Sequence, residues 1–247
     1  VYLSAEEKRT FVAKVVELTP DPMQVIAGTG CESTKETIDL TRDCADIGAQ
    51  AALVVSPHYY SGRMNESALH AYFTTVADHS PIPILLYNVP KFTHINMTAG
   101  LVAQLSRHPN IAGIKDSTGN VIQLGEIANQ VDADFNLLVG TAGALFGALT
   151  LGCVGGVLAL ANVAPQICVR IYQLVQEGNF EEAKKLQLKM IPVNQAVTAT
   201  FGVPGLKAAM DMLGYFGGDP RPPLLPSSEK EKSEIREILI KADLLEA

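Results

Sequence analysis

Apolar residues in this chain come in short unbroken runs. Each run is followed by a polar or glycine-rich stretch and then by apolar positions at helical spacing. The runs are Met23–Ala27, Ala52–Ser56, Ile82–Tyr87, Ile111–Lys115, Asn136–Val139 and Gly156–Leu160. Runs this short and this uniformly apolar predict strands covered on both faces of a sheet. The segments Lys35–Ile47, Glu66–His79, Ala99–Arg107, Val121–Gln130, Ala144–Leu151 and Val163–Gln176 predict helices. Repeated strand-then-helix order predicts right-handed βαβ units and a parallel sheet. Ahead of them, Ser4 reads as a helix N-cap, with Glu7 three residues on completing a capping box. The tail has another pattern. Asn179–Thr198, Val203–Leu213 and Ser227–Leu245 read as helices without intervening strands, punctuated by Gly214, Gly217-Gly218 and Pro220–Pro226. The expected organisation is an α/β body over 1–176 and an all-helical extension over 177–247.

Six units fit a doubly wound sheet or part of a closed (β/α)₈ barrel, which needs eight. A dinucleotide-binding sheet wants a GxGxxG turn. Ala27-Gly28-Thr29-Gly30-Cys31 lacks its third glycine, so Thr29 and the two glycines are read as shaping a βα loop of a barrel.

Composition narrows the function classes. With 247 residues, 47% of them hydrophobic, the chain can bury a substantial core. A net charge of −7 and the lack of any Lys/Arg run argue against nucleic acid as a partner. No apolar run approaches the roughly 18 residues of a spanning helix, so no membrane partner is expected. Cys31, Cys44, Cys153 and Cys168 form no CxxC pair and read as reduced thiols of an intracellular protein. The five histidines are scattered, so neither a metal nor a cofactor is expected.

The chemistry starts at Lys115, in Gly113-Ile114-Lys115-Asp116-Ser117, where an apolar strand runs into a polar loop. Strand alternation puts Lys115 on the face of Ile111 and Gly113. An ammonium loses hydration there; desolvation lowers its pKa, and the neutral amine can attack a ketone to give a Schiff base. On this segment alone, a lysine snorkelling off a strand end is the plainer reading. Two further loops at strand ends change that: Ser56-Pro57-His58-Tyr59-Tyr60 and Tyr87-Asn88-Val89-Pro90. In a barrel all strand C-termini open on one face, so a tyrosine can sit beside the lysine and shuttle its protons.

These motifs resemble the dihydrodipicolinate synthase / N-acetylneuraminate lyase family of class I aldolases. The resemblance runs over the whole chain, from the opening LSxEEK helix through GTG, SPxYY, YNVP, GIKDS and the late glycine-rich strand. Within that family, Gly30-Cys31-Glu32-Ser33-Thr34, Tyr59-Tyr60-Ser61-Gly62-Arg63-Met64, Leu160-Ala161-Asn162-Val163 and Phe201-Gly202-Val203-Pro204-Gly205-Leu206-Lys207 look most like 4-hydroxy-2-oxoglutarate aldolase. The resemblance implies a (β/α)₈ barrel present here from its third unit on, a homodimer or homotetramer, and a 2-oxo acid substrate. It gives Lys115 as Schiff-base lysine, Tyr87 as acid/base, and Tyr60 as part of a proton relay reaching a neighbouring subunit. Ser117, Gly140 and Thr141 would hold the distal substrate group, and Leu160 to Asn162 would line the pyruvate end.

Two departures matter. The family's first two strands and their G-[ST]-[TN]-GE loop have no counterpart here, so a longer parent protein, cytoplasmic or mitochondrial, is expected; a truncated non-catalytic member is the reading of another class. Dihydrodipicolinate synthases also carry an Arg shortly after YNVP, where this chain has Phe92. A phenyl ring cannot replace a bidentate guanidinium. This argues against the aldehyde of lysine biosynthesis, and the resemblance to 4-hydroxy-2-oxoglutarate aldolase implies cleavage of 4-hydroxy-2-oxoglutarate to pyruvate and glyoxylate. Cleavage of a 2-keto-3-deoxy sugar acid and condensation of pyruvate with an aldehyde are the alternatives.

Overall fold

The computed structural model describes residues 1–246 and divides into two compact units, Leu3–Leu138 and the chain from Val139 on. The first unit opens with α1 (Ala5–Leu18), followed by β1 (Ile26–Gly28), α2 (Thr34–Ile47), β2 (Ala51–Val55) and α3 (Glu66–His79). Then come β3 (Ile84–Asn88), the single turn α4 (Pro90–Thr93), α5 (Ala99–Leu105), β4 (Ile111–Asp116), α6 (Val121–Ala128) and β5 (Asn136–Val139). β1 to β5 lie in chain order, and the pairs β1–β2, β2–β3 and β3–β4 are parallel.

Polar residues at the loop ends start these helices. Ser4 Oγ accepts from Glu7 N and the Glu7 carboxylate accepts from Ser4 N, the expected capping box. Ser33, Asn65, Thr98 and Asn120 cap α2, α3, α5 and α6 in the same sense, each satisfying backbone N–H groups of the first turn. β1, β2 and β4 each pass into a loop that ends in such a cap, so these strand ends are well defined. Val54, Ile84, Leu86 and Ile114 are fully buried, as a sheet covered on both faces requires.

Two strands begin later than the apolar runs suggest. Pro20 and Pro22 hold the start of the first run in a turn closed by Met23 N to Pro20 O, so β1 starts at Ile26. Pro81 and Pro83 cannot donate to a ladder, and β3 starts at Ile84.

In the second unit, Val157 N donates to Val139 O next to β6 (Gly155–Gly156). The helices are α7 (Leu145–Thr150), α8 (Pro165–Gln176), α9 (Phe180–Gln195), α10 (Gly202–Met212) and α11 (Glu229–Lys241). Their core is built on Leu145, Ile171, Met190, Val193, Ala209 and Leu239. The run Gly156–Leu160, expected to be a strand, is one only at its first residue. Ala159–Asn162 is a turn of 3₁₀ helix, with Ala161 N donating to Leu158 O and Val163 N to Leu160 O. A short apolar run carries no period that separates strand from buried helix.

Candidate active site

β3 and β4 pair so that Tyr87 lies opposite Lys115 and Asn88 opposite Asp116. Successive residues point to opposite faces, so the pairing separates two clusters. On one face, Lys115 Nζ lies 4.0 Å from the centroid of the Tyr87 ring, and both residues are half-buried. A ring face at that distance attracts the ammonium, and the phenol hydroxyl beyond it can carry a proton to or from the amine's reaction partner. Lys115 is inside β4 rather than at its end, because Asp116 still belongs to the ladder.

Ser117 follows. Its N–H donates to Asn88 O at 2.9 Å, while its Oγ is buried and has no partner. A buried hydroxyl without a partner is uncommon and marks a place where a ligand or water completes the bonding.

Tyr60 stands apart from this pair. It is 70% exposed, on the loop before the short turn Ser61–Arg63, and packs edge-to-face on Tyr59 with ring centroids 5.0 Å apart. Among the described residues no ring contact or hydrogen bond joins it to Tyr87 or Lys115. Its loop is clasped from the β1–α2 loop: the Glu32 carboxylate accepts from Tyr59 N at 2.9 Å and from His58 N at 3.1 Å, and lies 2.9 Å from His58 Nδ1. Beneath, Gly30 sits so close to β2 that a Cβ would fall 2.5 Å from Val55 N. Thr29 is buried and accepts from Thr41 Oγ1. The Thr29–Gly30 loop is thus a packed βα turn. Tyr72 supports it through a 2.9 Å hydroxyl contact with Thr37, and burial pushes the Tyr72 phenol above its ordinary range.

The second unit carries the other expected residues. Thr141 opens a turn held by Gln187, which accepts from Phe146 N and donates to Ala142 O, and its Oγ1 accepts from Asn194 Nδ2 at 3.3 Å. Gly140 precedes it in the same half-buried stretch. Leu160 is fully buried. Asn162 is exposed, its Nδ2 donating back to Ala159 O at 3.0 Å. Among the described residues no three His, Cys, Asp or Glu side chains gather at metal-binding distance, and no helix is long and apolar enough to cross a membrane.

Sequence reading passed over the cluster behind the lysine. Asn88 and Asp116 are 1% and 0% exposed and bonded to each other. The signal was present in the sequence: a charged residue directly after Lys115, on the face that alternation turns inward.

The chain matches the model of the Dihydrodipicolinate synthetase family over residues 1–242. It is 38% identical to the 4-hydroxy-tetrahydrodipicolinate synthase of Methanothrix thermoacetophila, over 97% of this chain and 80% of that protein. The crystal structure of dihydrodipicolinate synthase DapA-2 from Bacillus anthracis is similar with a TM-score of 0.91 and 30% identity, over 97% of this chain and 81% of that one. That of the dihydrodipicolinate synthase from Acinetobacter baumannii, complexed with pyruvate, reaches 0.93 at 27% identity, over 99% and 83%. Residue pairing, parallel topology and these likenesses agree: the chain belongs to the dihydrodipicolinate synthetase family and is an enzyme of the class I, pyruvate-dependent aldolase type.

Proposed function

We propose that Lys115 forms a Schiff base with C2 of pyruvate or a larger 2-oxo acid and that the enzyme makes or breaks the C3–C4 bond. The observation that carries this is Lys115 Nζ at 4.0 Å from the Tyr87 ring, on strands paired in register at that position. Nζ adds to the ketone carbon, and water leaves to give an iminium. Loss of a proton from C3 gives an enamine, whose C3 attacks an aldehyde carbon. In reverse, loss of the C4 hydroxyl proton breaks the C3–C4 bond, the aldehyde departs, the enamine is reprotonated at C3 to the pyruvyl iminium, and water adds to that iminium to release pyruvate and the free Lys115 amine. Tyr87 is the proposed proton carrier at each step. The unpartnered Ser117 hydroxyl is a proposed contact to the distal substrate group. Gly140, Thr141, Leu160 and Asn162 are proposed substrate-contact residues on the resemblance of their stretches alone.

The aldehyde partner has two readings. The synthase names of the curated relatives support condensation of pyruvate with an aldehyde. Phe92, 65% exposed just after β3, offers no guanidinium for the carboxylate of aspartate semialdehyde and so weighs against condensation with that aldehyde, while the resemblance of the Gly30-Cys31-Glu32 and Tyr59-Tyr60-Ser61 stretches supports cleavage of 4-hydroxy-2-oxoglutarate to pyruvate and glyoxylate. A charge-assisted bond of that kind contributes about 1.5–3 kcal/mol. The cleavage reading therefore expects glyoxylate release from 4-hydroxy-2-oxoglutarate to exceed aspartate semialdehyde consumption roughly tenfold or more in kcat/KM. Preference for the semialdehyde overturns it in favour of condensation.

Exposed Tyr59 and Tyr60 support a homodimer or homotetramer in which Tyr60 serves a relay across subunits, which sedimentation equilibrium tests. Four free cysteines support an intracellular compartment, cytoplasmic or mitochondrial.

A further inference from the structure

On the face of β3 and β4 opposite the lysine lies a closed set of polar side chains. Asp116 accepts four hydrogen bonds. Its Oδ2 takes Asn88 Nδ2 at 2.7 Å and Gln123 Nε2 at 3.2 Å, and its Oδ1 takes Thr118 N at 3.0 Å and the Thr118 hydroxyl. Asn88 Nδ2 also donates to Asn96 Oδ1 at 2.8 Å, and Asn88 Oδ1 accepts from Met97 N at 3.1 Å. Asn96 and Gln123 are bonded in both directions, at 2.9 and 3.1 Å. Among the described residues Asp116 forms no ion pair with a lysine or arginine. Burying a carboxylate without a cation is costly unless donors surround it. Here they come from the end of β3, the loop after β4, and α6, while Asn96 and Met97 in the loop after α4 bond Asn88 and Gln123 in turn.

The location gives this cluster its consequence. Asn88 and Asp116 are the last residue pair of the β3–β4 ladder, and the pair one residue back is Tyr87 and Lys115. Beyond Asp116 the two strand ends are joined by the Ser117 N to Asn88 O bond. The amide–carboxylate bond therefore sets how closely the ends lie and how β4 is rotated where it presents the amine. We propose that Asp116 is a positioning residue for Lys115: its bonds to Asn88, Gln123 and Thr118 clamp the ends of β3 and β4 so that Lys115 Nζ stays in attack geometry beside Tyr87. The inference rests on the Schiff-base reading of Lys115. It requires an acceptor on one strand and a donor on the other, and the reverse arrangement should serve nearly as well.

The test is the rate of borohydride trapping of pyruvate on Lys115 in the full-length protein, measured against pyruvate concentration well below the melting temperature. The proteins compared are the wild type, Asp116→Asn, and the swap Asn88→Asp with Asp116→Asn. In Asp116→Asn, a second NH₂ group faces the Asn88 and Gln123 donors. Its limiting trapping rate is expected to fall on the order of tenfold, as for a small displacement of a reacting group, with half-saturating pyruvate nearly unchanged. The swap restores the donor–acceptor pair across the strands once the Asn96 and Gln123 amides, bonded to each other in both directions, turn over together and give up the Gln123 Nε2 to Met97 O bond, and it is expected to recover most of that rate. A role confined to stability would lower the melting temperature and leave trapping by folded protein unchanged; that result overturns the proposal with the Schiff-base reading intact. If Asp116→Asn does not fold, the swap decides: folded protein that traps near the wild-type rate supports the clamp, and a swap that is unfolded or slow overturns it. A wild type that forms no adduct at Lys115 overturns the Schiff-base reading, and the inference with it.

Discussion

Gly113, two residues before Lys115 on the same face of β4, has no room for a side chain. A Cβ built there would lie 2.2 Å from Asn136 O, 2.7 Å from Asn136 Cβ and 3.0 Å from Asn136 C. The closest of these atoms is β5 backbone, which cannot swing away as a side-chain tip can. An ordinary carbon–oxygen contact begins near 3.3 Å, so Gly113→Ala must push β4 and β5 apart by about 1 Å. The Asn136 Nδ2 to Ala112 O bond, 2.8 Å long, crosses the same gap and would be stretched. Overpacking of this kind costs about 1–3 kcal/mol. In a chain of this length each kcal/mol lowers the melting temperature by roughly 2–4 °C. The displacement also reaches Lys115. Misplacing a reacting group by about 1 Å can cost up to a hundredfold in rate. Calorimetry and borohydride trapping on folded Gly113→Ala read the two effects separately. Gly28→Ala is the control, since nothing lies within 4 Å of a Cβ there, and its melting temperature is expected to hold or rise slightly. If Gly113→Ala keeps the wild-type melting temperature and trapping rate, the close approach of β4 and β5 is refuted, and with it the idea that strand spacing sets the lysine.

Two further expectations follow from single groups. Ser117→Ala removes a hydroxyl that has no protein partner, so stability should stay within about 0.5 kcal/mol while KM for the 2-oxo acid rises roughly three- to tenfold; a destabilised variant with unchanged KM would place the hydroxyl in the fold instead. Burial pushes the Cys168 thiol up to about 11, which leaves about one thiolate in a thousand at pH 8. Its alkylation should keep accelerating about tenfold per pH unit to pH 10, whereas half-buried Cys31, also raised by burial, should label first at every pH; a Cys168 rate that levels off by pH 9 would contradict the buried setting.

Much of the architecture was legible because its signals are local. Ser4 with Glu7, and Ser33, Asn65 and Thr98 ahead of apolar periods, mark helix starts through bonds made within a few residues. The approach of Lys115 to Tyr87 was legible at one remove, since parallel neighbours ending in the same layer bring their terminal side chains together. Other features depend on partners far along the chain. The 3₁₀ turn at Leu160 interrupts an apolar run whose composition suits a strand equally well. The clamp on Asp116 needs Asn88, Asn96 and Gln123 to converge from separate elements, and no spacing rule announces that. Tyr60 was read as chemistry from its motif, whereas the fold of one chain leaves it exposed beside Tyr59 on a loop held by Glu32.

The most direct measurement is borohydride reduction of the full-length protein with pyruvate, followed by peptide mass mapping. A reduced pyruvyl adduct on the peptide carrying Lys115, absent without pyruvate and absent in Lys115→Arg, is the predicted result. Folded protein that gives no adduct there, or gives it on another lysine, would contradict the assignment of Lys115 as the Schiff-base residue.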